Sequence, residues 1–233
     1  MTHLEGSARA RYVQEMFSRI APRYDLMNSL MTVGQDVAWR REVIRRARLD
    51  PGSLLLDLGA GTGDLAAAAM QQCPSCQVVA ADFTLPMMMV GQQRYPSPSL
   101  DWSAADAGRL PFTDGTFDAA VSGFLLRNVP DVARALAEQH RVLKPGGRIV
   151  VLDTSPPANN LLAPAVRFHL HTIIPTLGKL VTGHSEAYQY LPDSTEGFLS
   201  AERLAARMLD AGFRQVGFAR RMFGTIAIHW GTK

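Results

Sequence analysis

The chain has 233 residues, of which 47% are hydrophobic and 19% charged, and 24 Lys and Arg against 21 Asp and Glu leave a formal charge of +3. That composition excludes a disordered, collagenous or coiled-coil protein, and the charge is too small to mark a nucleic-acid binder. Two cysteines cannot build a disulfide framework, no stretch approaches the roughly 18 apolar residues of a membrane span, and Met1-Thr2-His3-Leu4-Glu5-Gly6 lacks the layout of a secretory signal, so a soluble, cytoplasmic chain is expected.

In chain order, residues 1–49 read as a helical cap rich in Arg, Met and aromatics. Arg40-Arg41, Arg45-Arg46 and Arg48 form a basic helical patch near Trp39, read either as a solvated face or as a contact for anionic headgroups. From Ser53 the pattern alternates short apolar strands with helices, as in a doubly wound α/β sheet. Leu54 to Leu56, Val78 to Ala81, Phe117 to Ser122 and Arg148 to Leu152 read as strands; Leu65 to Gln72, Pro86 to Arg94 and Val132 to Leu143 read as helices. Lys144-Pro145-Gly146-Gly147 stops the last of these. Ala201 to Asp210 is expected as a helix capped by Ser200 and stopped by Gly212. Phe213 to Ala219 and Thr225 to Trp230 are expected as a terminal antiparallel hairpin. One domain fits the length, with 156–197 as an insertion suited to a lid or binding segment.

Asp57-Leu58-Gly59-Ala60-Gly61-Thr62-Gly63-Asp64 follows the first strand and opens a helix. Glycines there permit a sharp turn and close approach of a ligand. The dinucleotide spacing G-x-G-x-x-G would need glycine where Asp64 stands. The spacing G-x-G-x-G with an acid two residues earlier resembles the class I S-adenosylmethionine methyltransferases, which implies a Rossmann-like, mostly parallel sheet with helices on both faces and an antiparallel C-terminal strand. The resemblance implies S-adenosyl-L-methionine as cofactor, held by Asp57, Gly59, Ala60, Gly61, Thr62 and Gly63. Asp82, at the end of the second strand, would bind the ribose or else cap a helix, with Phe83 beside it. Asp106 and Ala107 would meet the adenine.

Tyr24-Asp25-Leu26-Met27-Asn28 with Trp39, Phe124-Leu125-Leu126-Arg127-Asn128-Val129 and Arg141-Val142-Leu143-Lys144-Pro145-Gly146-Gly147 resemble the ubiquinone/menaquinone biosynthesis C-methyltransferase family. Thr32, Asp36 and Asp153 depart from its usual Ser, His and Glu. The resemblance implies methyl transfer to a ring carbon of a polyprenylated quinol, with the menaquinone branch favoured. Arg127 is expected to stabilise the developing phenolate, Asn128 to orient substrate or water, and Asp106 to assist through a water. Tyr24 would close over the cofactor or pack the cap, Tyr188 would touch substrate, and Leu161, Leu162, Leu170, Ile173, Ile174 and Leu177 would line a groove for the isoprenoid tail. Peripheral contact with the inner membrane surface and a homodimer are further expectations; no nucleic acid and no metal are expected. A methyltransferase of other small phenols, favoured by the three departures, and a silent cofactor-binding protein are the competing readings. Cys73-Pro74-Ser75-Cys76 is read as an inert pair.

Overall fold

Two adjacent leucines divide the core between the faces of the sheet. Strand β1 (Leu54–Leu58) is buried on both sides, and because successive side chains alternate, Leu55 and Leu56 enter different clusters. Leu55 packs with Trp39, Val43, Leu65 and Ala69, whereas Leu56 shares its cluster with Leu136, Leu204 and Phe213. Helices therefore cover both faces.

The computed structural model describes residues 6–21, 24–157, 164, 168–173, 176 and 192–233. Helices α1 (Gly6–Ile20), α2 (Tyr24–Met31) and α3 (Gln35–Ala47) make up the N-terminal segment, and α3 packs on the sheet through Trp39, Val43, Ile44 and Ala47. After β1 come α4 (Asp64–Gln72), β2 (Gln77–Asp82), α5 (Leu85–Arg94), β3 (Leu100–Ala104) and β4 (Phe117–Gly123). Then follow α6 (Val132–Val142), β5 (Leu143–Thr154), α7 (Ala201–Asp210), β6 (Arg214–Arg221) and β7 (Ile226–Thr232). The seven strands lie in the order β3-β2-β1-β4-β5-β7-β6, and β7 runs antiparallel to both neighbours in an otherwise parallel sheet. The order reverses between β1 and β4, and in open α/β sheets ligands bind beyond the strand C-termini at such a point.

Helix starts follow the expected chemistry. Asp131 and Ser200 each accept a hydrogen bond from the amide three residues on, Arg134 and Arg203. Gly212, at φ 97°, ends α7 in the left-handed region.

Three expectations need correction. Strand β3 was not foreseen, because Leu100-Asp101-Trp102-Ser103-Ala104 is a short edge strand whose apolar residues are interrupted by Asp101 and Ser103. Helix α6 ends at Val142, and the Lys144 to Gly147 run is a bulged lead-in to β5, where the pairing slips between Phe117 and Ala119 of β4. Cys73 and Cys76 are joined in a disulfide, since the Pro74-Ser75 turn folds them together. Most of the insertion at 156–197 lies outside the described residues, and with it Leu161, Leu162, Ile174, Leu177, Tyr188 and the side chain of Leu170.

Candidate active site

The turn after β1 is built from backbone rather than side chains. Gly59, Gly61 and Gly63 have φ of 69°, 56° and 85°, a region costly for residues with a Cβ. The amides of Gly59 and Ala60 both donate to the Ala81 carbonyl, at 2.8 and 3.1 Å, which ties the turn to the end of β2. Space is as restrictive as angle: a Cβ on Gly59 would stand 2.8 Å from Leu125 Cδ1, and one on Gly63 2.8 Å from the Trp102 ring. Gly63→Ala is therefore expected to destabilise the protein by about 2 kcal/mol, a melting temperature lowered by about 4–8 °C. Calorimetry of the purified variant would check it; an unchanged melting point would mean that the ring and turn relax freely.

Three acids surround this turn. Asp57 is fully buried; its Oδ2 accepts the Ala66 amide at 2.9 Å, satisfying an orphan donor of α4, while Oδ1 has no hydrogen-bond partner among the described residues. Burial pushes its pKa up to about 7, aided by the nearby charges of Asp82 and Asp64. Asp82 accepts the Gly61 amide at 2.8 Å and the Thr84 amide at 2.6 Å, so it both braces the glycine turn and folds the entry to α5. Burial raises its pKa as well, against those two bonds. Asp106 is exposed and accepts the Gly108 amide at 2.8 Å.

A cleft joins these groups. Gly59, Gly61, Asp82, Phe83, Asp106, Ala107 and Asn128 line its larger lobe, closed from above by Val13, Gln14 and Phe17 of α1. Asp57, Ala60, Thr62, Asp64, Asn28 and Arg40 line a smaller lobe, which shares Gly59, Gly61, Gly123 and Phe124 with the first. The structure thus brings together the residues expected at the turn and the two strand ends except Gly63, which lines neither lobe and turns toward the Trp102 ring. Tyr24's side chain lies outside the described residues.

Arg127 is placed differently from its neighbours. It is 7% exposed, its Nη1 donates to Asp153 Oδ1 at 2.8 Å, and its own amide donates to Asp153 Oδ2 at 3.2 Å. Its guanidinium also lies 4.9 Å from the Phe124 ring centroid. The Phe124 ring and Asn128 face the cleft, while Arg127 sits behind them. Asn128 Nδ2 donates to the Phe124 carbonyl at 2.9 Å, and Phe124 itself holds φ 59°, strain of the kind that collects at functional turns.

The cap supplies residues that the sequence reading missed. Gln14 Nε2 donates to the Phe83 carbonyl at 3.0 Å, pinning α1 over the cleft. Arg40, read only as part of a basic patch, reaches the small lobe, where its guanidinium bridges Asp36 at 2.6 Å and Asp64 at 3.0 Å. Asp36 is 1% exposed and accepts the Thr32 hydroxyl at 2.9 Å. Thr32 and Asp36, two departures from the family pattern, are thus a single support for Arg40, and neither lines the cleft. The only sequence signal for this was the i, i+4 spacing of Asp36 and Arg40.

Comparison with known proteins matches these features to one family. The model of the ubiE/COQ5 methyltransferase family matches residues 5–233. A ubiquinone/menaquinone biosynthesis C-methyltransferase UbiE from Desulfotalea psychrophila is 49% identical over 222 residues, 95% of this chain and 90% of that protein. A demethylmenaquinone methyltransferase from Thermus thermophilus is 43% identical across 94% of this chain and all of its own length, 100%. Among solved structures, a SAM-dependent methyltransferase of Thermotoga maritima, described as a possible histamine N-methyltransferase, superposes with a TM-score of 0.65 at 20% identity, over 94% of this chain and 99% of that one. A putative methyltransferase solved with the Haloferax volcanii Trm112 activator gives 0.66 at 16% identity, over 91% and 96%. At those identities the two structures speak for the fold, whereas the family model and the close relatives speak for descent: the chain belongs to the ubiE/COQ5 methyltransferase family.

Proposed function

We propose that this methyltransferase uses S-adenosyl-L-methionine to methylate a ring carbon of a polyprenylated quinol, with demethylmenaquinol as substrate. The names of the relatives support the substrate class. The observation that carries the cofactor assignment is the Oδ1 of Asp57, a buried acceptor with no partner among the described residues, at the glycine turn and in the small lobe of the cleft. An ammonium group would satisfy it.

The residues fit that cofactor throughout. Asp57 would take the amino group, Arg40 the carboxylate, Asp82 the ribose hydroxyls with its remaining lone pairs, and Phe83, Asp106 and Ala107 the adenine. Gly59 and Gly61 present bare backbone to both lobes of the cleft, and Thr62, 2% exposed, is buried within the turn. When bound, the cofactor supplies a methyl group activated by the neighbouring sulfonium. The protein's work is then to align a carbon nucleophile and to handle its protons. Asn128 would orient the quinol hydroxyl at the cleft wall, and Arg127, with its charge held by Asp153, would favour ionisation of that hydroxyl through the Phe124 turn. Asp106, solvent-accessible in the same cleft, would accept the ring proton through a water. Tyr188 and the apolar residues of the insertion remain candidates for the ring and tail. Leu26, Leu30, Val33 and Val37 are all exposed on α2, α3 and the turn between them, which supports a contact of the cap with the tail or with a bilayer. Among the described residues no helix is long and apolar enough to cross a membrane.

Arg40→Met is expected to weaken S-adenosylhomocysteine binding by about 10- to 100-fold, the range for a hydrogen-bonded charge. Binding of 5′-methylthioadenosine, which has no amino-acid moiety, should change by less than about twofold. Calorimetry on both ligands checks it, and equal losses would place Arg40 in a structural role. For the function as a whole, methyl transfer from labelled S-adenosylmethionine would be measured on a short-chain demethylmenaquinol, a benzoquinol analogue and a tail-less phenol. Turnover confined to the naphthoquinol is the expected result. Turnover of the phenol alone would sink the quinol assignment.

A further inference from the structure

The basic patch of α3 does not act as one surface. Arg40 turns into the cleft, whereas Arg45, Arg46 and Arg48 sit at the other end of the helix, about 8–12 Å further along it. There they meet Arg148, at the start of the regular part of β5, and Trp230 of β7, around a cavity of about 250 Å³. Arg148 and Asp153 are five positions apart on β5, so this cavity lies roughly 17 Å from the active-site end of the sheet.

Its electrostatics are one-sided. The only carboxylate among the described lining residues is Glu42, and it is committed to Arg46 at 2.8 Å and Arg221 at 2.6 Å. Burial opposes its ionisation, yet those two guanidiniums hold its carboxyl below the ordinary range. Arg148 donates through Nε to the Arg46 carbonyl at 2.9 Å, and no carboxylate among the described residues pairs with it. Burial, then the charges of Arg48 and Arg46, pushes its pKa down, the signature of cations crowded without a counter-charge. Arg45 and Arg48 likewise make no ion pair among the described residues. Arg46 is held flat, its guanidinium carbon 3.6 Å from the Trp230 ring centroid.

We propose that this cavity is a binding site for a small phosphoryl anion, a phosphomonoester or a diphosphate. Planar guanidiniums match phosphate oxygens in pairs, and a concave site with four of them around one committed carboxylate selects a multiply charged anion over a single one. A phospholipid headgroup offers the same chemistry. A free anion fits the placement better, because a bilayer at this end of the sheet would lie away from the mouth of the active-site cleft, where a lipid-borne substrate enters.

The test uses the whole chain, with inorganic pyrophosphate as probe and sodium chloride at matched ionic strength as the control salt. At about a hundredfold excess over its Kd, pyrophosphate is expected to raise the melting temperature by at least about 5 °C more than sodium chloride does. Arg148→Gln, and separately Arg45→Gln with Arg48→Gln, should abolish that rise and leave methyl transfer unchanged. In the absence of anion neither variant should melt lower than the parent, since each relieves repulsion. A rise equalled by sodium chloride, or retained in both variants, overturns the site. Co-sedimentation with phosphatidylglycerol vesicles that depends on Arg148, without any response to pyrophosphate, overturns the free anion in favour of a headgroup.

Discussion

Arg127→Ala is expected to lower the melting temperature by roughly 6–20 °C before any effect on catalysis is measured, because losing one member of a buried ion pair costs about 3–5 kcal/mol. Asp153 is fully buried, and among the described residues its partners are the Arg127 guanidinium and the amides of Arg127 and Thr154. Removing the guanidinium strands its charge. A loss of activity in this variant alone therefore says nothing about a role in the reaction. The informative protein is Arg127→Met combined with Asp153→Asn, which removes both charges and keeps an acceptor for one of the two amides. It should recover stability to within about 2 kcal/mol of the parent. If Arg127 stabilises the ionised quinol, the double variant stays about 100-fold slower in kcat at unchanged cofactor affinity. Recovery of activity together with stability would reduce the arginine to a strut for the 124–128 turn.

The second large effect concerns pH. Free Asp57 holds its proton up to about pH 7, well above the ordinary carboxylate range, and an ammonium ligand needs the ionised form. Binding must then release a proton below that pH. Affinity for S-adenosylhomocysteine is expected to be flat above about pH 7.5 and to fall by up to about tenfold for each pH unit lower. The same shift has the opposite sign for the unliganded fold: since the folded pKa exceeds the unfolded one, this group favours the folded state at low pH, and that contribution is lost as pH rises through 7. Asp57→Asn should bind about 100-fold more weakly at pH 8 and show a much flatter profile, because the charged bond to the ligand and the linked proton vanish together. Asp82, also raised by burial, remains in that variant and accounts for any residual slope. Calorimetry in buffers of different ionisation enthalpy counts the protons directly. No proton release at pH 6 would detach Asp57 from the ligand's amino group.

How much of this was legible in the sequence depends on distance along the chain. The strand, glycine turn and helix at 54–72 are contiguous, and each element carries its own marker: β1 its apolar run, the turn its glycines, α4 its alanines. Asp82 was legible because one βα unit fixes where the next strand ends. The pairing of Arg127 with Asp153 was not, since it spans 26 residues and depends on the parallel register that sets Gly123 beside Leu152. Asp36 misled for the same reason. Read alone it suggested an altered substrate pocket, whereas in space it is the buried support of Arg40. Strand β3 escaped because an edge strand with Asp101 and Ser103 lacks the apolar run that marks its neighbours.

The position of β7 makes one order of assembly a trap. Residues 226–232 occupy the place between β5 and β6, so β6 reaches the rest of the sheet only through a strand that follows it in the chain. Were β6 to dock on β5 first, it would claim the edge that β7 requires. Closing the 214–232 hairpin first, a local event on the microsecond scale, and docking it as a unit on a β1–β5 sheet built from adjacent βα segments avoids that conflict. Until that moment the long edge of β5 is open, and Val150 and Leu152, wholly or almost wholly buried in the finished molecule, are exposed to any passing strand.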